Sequence, residues 1–214
     1  LKTKFPKSPL REEAFLKIIE ALSKLKDYAE ALQEIDRYLK EYPQTKRVSL
    51  LYFYRAEANF YLGNYLEAYQ DYSKVLSTTR DEHIVLLSKI GMGWSQVKLN
   101  NLKAAQELFA KIDKSTLDKN LLSTVLLGEA LVNSELGNLE QSLALYKELM
   151  QNSPSSELLM QALWGQAQVL ERQDKSNDAV LIYRKILQNT DTQNIDEAKF
   201  RIRRAMPWPT TPCG

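Results

Sequence analysis

The chain of 214 residues has almost no cysteine, a single Cys213 in its tail, so an internal disulfide framework is excluded. Cysteine-free repeats suit a reducing cytosol and equally an envelope protein that avoids stray thiols. Histidine is as scarce. With only His83 present, a zinc site of ordinary His/Cys spacing lacks ligands. No window approaches about 18 consecutive apolar residues, so no membrane-spanning helix is expected. A dominant charge is missing too. The 29 basic and 27 acidic residues leave +2, too weak a field for nucleic acid to be the main partner. Hydrophobic content of 44% and charge of 26% place the chain among ordinary soluble proteins. The first residue is Leu1, not Met, which reads as a trimmed or processed form with any leader or lipid-anchor site upstream.

What is present is a repeat. Leu62-Gly63-Asn64-Tyr65-Leu66-Glu67-Ala68 returns 74 residues later as Leu136-Gly137-Asn138-Leu139-Glu140-Gln141-Ser142, with a fainter copy at Leu99 to Ala105. Steps of 37 extend the series both ways, so Ala31, Ala68, Ala105, Ser142 and Ala179 share one period. Each unit reads as two helices around a turn. Ser8-Pro9 opens the first helix, and Phe15, Leu16, Ile18, Ile19 and Leu22 give it an apolar face. Asp27 and Glu30 form a capping box for the second helix, which Pro43 stops.

Later units follow this plan. Gly63 and Gly137 suit a left-handed turn position, and Asn100 is a tolerated replacement. Asn64 and Asn138 are expected to cap the helices that follow, with Glu67 and Gln141 closing the boxes. The fifth turn, Gln173-Asp174-Lys175-Ser176, has no glycine and looks degenerate. Second helices carry Ile35, Tyr72, Phe109, Tyr146 and Tyr183 in one column. First helices carry Gly91, Gly128 and Gly165 in another. Glycine inside a helix costs about 1 kcal/mol against alanine, so this column implies that another backbone comes close.

The expected architecture is all-α: a right-handed α-solenoid of five helix-turn-helix repeats plus a C-terminal capping helix. Its divisions are a flexible segment at 1–8, one solenoid domain at 9–206, and a Pro-rich tail at 207–214. Units fall at about 9–45, 46–82, 83–119, 120–156 and 157–193, with the cap at 194–206. Arg204 takes the column that Ala167 holds in the fifth unit, which suits a wet outer face.

Two helices per unit, a small residue in each, and Gly-Asn-Tyr between them resemble the tetratricopeptide repeat family over roughly residues 10 to 190. The marks are Leu127-Gly128-Glu129-Ala130, then Gly63, Asn64, Tyr65, Ala68, Tyr72 and Val75, and the closing Pro43 and Pro154. The unit is longer than that family's usual 34 residues or so. Long units ending in Tyr-Pro, as at Tyr42-Pro43, are similar to those of bacterial envelope proteins such as the outer-membrane assembly lipoproteins and the Tol-Pal coordinator. That likeness inclines the compartment toward the bacterial cell envelope (periplasm) over the cytoplasm. The resemblance implies a non-catalytic protein–protein interaction scaffold that docks a peptide, a helix or a partner subunit. The alternative it leaves is a self-associating structural subunit of a larger assembly, paired through its C-terminal end.

No enzyme, catalytic residue, metal or cofactor is expected. His83, beside Asp81 and Glu82, reads as a solvated helix-start residue. Gly91-Met92-Gly93 lacks the third glycine and preceding strand of a phosphate loop. Arg201, Arg203 and Arg204 form a basic cluster, read as a solvated face, with phosphate or anionic lipid as the rival reading. The aromatic run from Tyr52 to Tyr72 (Phe53, Tyr54, Phe60, Tyr61, Tyr65 and Tyr69 between them) is assigned mainly to inter-helix core. Polar residues of the first helices are expected to line a concave partner-binding groove in two columns, Arg55 with Asn59, Met92 with Gln96, and Glu129 with Asn133. If they face water, changing the three amides to alanine leaves the melting temperature almost unmoved.

Overall fold

A computed structural model describes residues 9–152 and 154–188. Among the described residues there are ten α-helices, one short 3-10 turn and no strand. The chain divides into two compact units, Leu1–Ile112 and Asp113–Gly214. The first holds α1 (Pro9–Lys24), α2 (Tyr28–Glu41), α3 (Val48–Tyr61), α4 (Tyr65–Thr78), α5 (Glu82–Lys98) and α6 (Leu102–Ala110). The second holds α7 (Lys119–Glu135), α8 (Leu139–Gln151), α9 (Ser156–Arg172) and α10 (Ser176–Gln188). The sequence suggests one unbroken array, but α6 is only 9 residues long against 14 for α4. A 3-10 turn, Lys114–Thr116, follows, with Asp113 accepting a hydrogen bond from the Ser115 N–H.

One column of turns sets the repeat. Lys26, Gly63, Asn100, Gly137 and Asp174 have φ of 61°, 86°, 59°, 85° and 59°, and they stand 37 apart. At each, the next N–H donates to the carbonyl five residues back: Asp27 to Leu22, Asn64 to Asn59, Asn101 to Gln96, Asn138 to Asn133 and Lys175 to Leu170, at 2.9–3.0 Å. This six-to-one bond satisfies a carbonyl that the helix end would otherwise orphan. The fifth turn, degenerate in sequence, is thus geometrically the same as the others. Asp27 caps α2 as expected, accepting from the Glu30 N–H at 3.2 Å. Asn64, Asn101 and Asn138 do not cap. Their amides turn back to the preceding helix, as described below.

The small-residue column is fully buried at Ala31, Ala68, Ala105, Ser142 and Ala179. At Ser142 the hydroxyl donates to the Ala130 carbonyl at 2.8 Å, so α7 and α8 touch there almost backbone to backbone. The glycine column has a different cause from the one expected. A Cβ at Gly91 would land in the Tyr72 ring, and one at Gly165 would meet the Tyr146 phenol. The helix spares its side chain to admit an aromatic ring, not another backbone. In the first repeat the second helix offers the smaller Ile35, and the column position is Tyr54, packed against the cluster of Phe15, Leu16, Ile19, Ile35, Tyr38 and Leu51.

The expected cap at Ser8, the segment 1–8, the capping helix at 194–206 with Arg201, Arg203 and Arg204, and the tail at 207–214 with Cys213 lie outside the described residues.

Candidate functional site

In the first unit α3 packs directly on α1 and on α5, whereas α2, α4 and α6 make no comparable contact among themselves. The first helices therefore form the inner row of this unit and the second helices the outer one. In the second unit α7 likewise packs on α9.

The six residues expected to line the groove do not share an open face. Arg55 lies beside the second helices. Its Nε and Nη2 donate to Asp71 at 2.7 and 2.8 Å, and Nη1 is 3.5 Å from Asp36. Lys74 completes the ion cluster at 2.9 Å from Asp71, and Arg55 and Lys74 each lie 5.2 Å from the centre of the Tyr52 ring. Glu129 pairs with Lys114 at 2.7 Å. Met92 is core, packed with Ala56, Ala68 and Tyr72.

Asn59, Gln96 and Asn133 are only 7–8% exposed, which corrects the expected ladder of groove-facing amides. Their side-chain oxygens accept from Asn64, Asn101 and Asn138 at 3.3, 2.8 and 3.2 Å. Asn133 also donates to the Glu129 carbonyl at 2.8 Å. Each amide pair clamps the same five-residue turn that the backbone bond closes. Burying these groups costs little because both partners are satisfied.

The surface that the first unit does present runs along α3. Leu50, Phe53, Tyr54, Glu57 and Tyr61 recur at i, i+3, i+4, i+7 and i+11, one helical stripe, and none is fully buried. Tyr61 is 60% exposed. It stacks on Tyr28 of α2 at 4.7 Å with the planes 9° apart. On α5, Trp94 stands one repeat after Glu57, half-buried and edge-on to Phe109 at 6.1 Å. Beside Tyr54, Lys17 and Glu20 of α1 pair at 2.9 Å. The aromatic run is mainly core as expected, with Tyr72 fully buried and Phe53, Tyr54, Phe60 and Tyr69 packed on core clusters, and Tyr61 is the exception. Spacing along α3 sets Tyr61 on the helix side opposite Arg55 and Asn59.

The stripe contains one partly buried acid. Glu57 accepts a hydrogen bond from the Tyr72 phenol, which reaches it from α4 past Gly91. Burial holds the Glu57 carboxyl above its ordinary range, with the Tyr72 bond opposing the shift. The same burial, with Glu57 adjacent, pushes the Tyr72 phenol well up. In the second unit the matching column holds Leu131, so the buried Tyr146 phenol meets no carboxylate there.

A separate depression of about 710 Å³ lies at the α2–α3 connection, lined by Glu12, Tyr42, Thr45, Lys46 and Arg47 among others. Glu12 there accepts from Tyr38 at 2.6 Å and Thr45 at 2.8 Å, and these two bonds hold its carboxyl below the ordinary range. His83 is exposed in the first turn of α5. Among the described residues no group of three or more His, Cys, Asp or Glu is placed to hold a metal ion. No helix there is long and apolar enough to cross a membrane.

The YfiO family model, an outer membrane lipoprotein, matches residues 1–89, less than half of the chain. No curated protein sequence matches. Solved structures do. PilW, a type IV pilus biogenesis factor, superposes with a TM-score of 0.72 at 18% identity, over 92% of this chain and 87% of its own. A tetratricopeptide repeat protein from Parabacteroides merdae gives 0.69 at 19% identity, over 94% and 77%. YrrB, a TPR protein with an unusual peptide-binding site, gives 0.61 at 14% identity, over 87% and 90%. Five turns on a 37-residue period, small and aromatic columns between paired helices, and these superpositions agree: the chain has the tetratricopeptide-repeat fold.

Proposed function

We propose that the chain is a non-catalytic docking scaffold and that the inner face of its first unit takes a peptide or helix from a partner protein. The observation that carries this reading is the aromatic stripe on α3, in which Tyr61 is exposed and Phe53 and Tyr54 are partly buried, on the row where the first helices pack on one another. Aromatic side chains left partly open in a helical row offer large, stiff contact area, the composition of interface hot spots. The likeness to YrrB, a TPR protein with an unusual peptide-binding site, supports the class of partner. The YfiO match over residues 1–89 supports a place in the bacterial envelope.

The test is peptide binding to the purified chain, followed through the side-chain resonances of Tyr54, Tyr61 and Trp94. Binding that moves these signals and is lost in Tyr54→Ala plus Tyr61→Ala upholds the reading. Binding unaffected by that pair moves the site elsewhere. A second reading, self-association through the C-terminal end, is favoured by Leu181, which α10 leaves 55% exposed. Light scattering over a range of concentrations tests it, and a monomer at every concentration removes it.

A further inference from the structure

We propose that Glu57 anchors a cationic side chain, a lysine or arginine of the docked partner, whose alkyl stem lies across the exposed ring of Tyr61. The inference rests on the docking reading of the same face and names the chemistry of its ligand.

Among the described residues, the acids most withdrawn from solvent are paired. Asp71 has Arg55 and Lys74, Glu34 has Arg37 at 2.7 Å, and Glu129 has Lys114. Each buried negative charge is met by a positive one, as the cost of burying an unpaired ion requires. Glu57 is the exception. Its sole protein hydrogen bond comes from the neutral phenol of Tyr72. The groups facing it are phenols throughout: Tyr72 from α4, Tyr28 from α2, and Tyr61 one turn along α3. No lysine, arginine or histidine among the described residues bears on it. Glu57 is partly buried and keeps some of its surface open to solvent.

A partly exposed carboxylate beside an aromatic ring fits a particular guest. A metal ion needs several ligands, and Glu57 stands alone. An ammonium or guanidinium needs one charge-assisted hydrogen bond, and its stem gains from an aromatic face. Tyr61, stacked on Tyr28 and 60% exposed, lies one turn along α3 from Glu57.

The experiment selects peptides from a random library of end-blocked 12-residue sequences, using the full chain and its Glu57→Gln variant. The glutamine keeps an acceptor for Tyr72 and removes only the charge. Peptides selected by the wild type should share one lysine or arginine among apolar neighbours. Replacing that residue by norleucine should weaken wild-type binding roughly tenfold to a hundredfold and leave Glu57→Gln binding unchanged. Equal losses on both proteins, or selected peptides with no shared cation, overturn the Glu57 assignment while leaving the docking face standing. No selection by either protein overturns both. Tyr61→Ala, at an exposed position, tests the wall separately: the lysine peptide should bind it more weakly, and unchanged affinity overturns the stem contact.

Discussion

The ring of Tyr72 in α4 occupies the space that a Cβ at Gly91 in α5 would need. Two effects of Gly91→Ala therefore oppose each other. Alanine gains about 1 kcal/mol of helix propensity, and the clash with a fully buried ring costs on the order of 1–3 kcal/mol. The clash should win, lowering the melting temperature. Adding Tyr72→Ile, the pairing that Ile35 and Tyr54 already use in the first repeat, should recover part of the loss. Melts of the two single variants and the double variant check this, and additive losses would mean the ring and the glycine are not coupled.

Three of the five left-handed turn residues carry a side chain. Lys26 and Asp174 have φ of 61° and 59° where Gly63 and Gly137 sit freely. A side chain in that region costs about 1–2 kcal/mol, so Lys26→Gly and Asp174→Gly should each stabilise by roughly 1 kcal/mol. Chemical denaturation of each variant measures the gain. A loss would show that the side chain makes a contact worth more than the backbone strain.

The clamped amides should behave as structure. Asn133→Ala removes an acceptor for Asn138 and a donor to Glu129. It should cost about 1–3 kcal/mol, because the partner groups are left buried and unpaired. Thermal melts distinguish this from the near-zero effect that an exposed amide gives.

Glu57 predicts a pH signature. Burial raises its carboxyl above the ordinary value, so the folded chain holds this proton more tightly than the unfolded chain. The group's stabilising contribution is therefore full below the unfolded-state carboxylate value and is lost as pH rises through the raised one. Glu57→Gln should melt above wild type at neutral pH, and the gap should close as pH falls through the carboxylate range. A gap constant with pH would mean the glutamine acts through packing instead of charge.

The repeat was legible in the sequence because one turn geometry is imposed every 37 residues, and small side chains must recur wherever two helices touch, as at Ser142 and Ala130. The two faces of the first helices were not distinguished. Asn59 and Gln96 look like surface residues until Asn64 and Asn101 are known to complete them. Tyr61 looks like core until the inner row is seen to leave it exposed. Polarity alone cannot separate a satisfied buried amide from a wet one. The glycine column was recognised as a close approach, but only the structure identifies Tyr72 and Tyr146 as what approaches.

Within each unit, the helices that pack are adjacent in sequence or next but one. Folding then never has to close a long loop before contacts reward it, so each unit is expected to reach its native state quickly for its size. Such a chain can begin folding at any hairpin and zip outward, with its ends opening first under native-state hydrogen exchange. Amide protection should therefore fall off from the middle of a unit toward its outer helices instead of being lost in one concerted step.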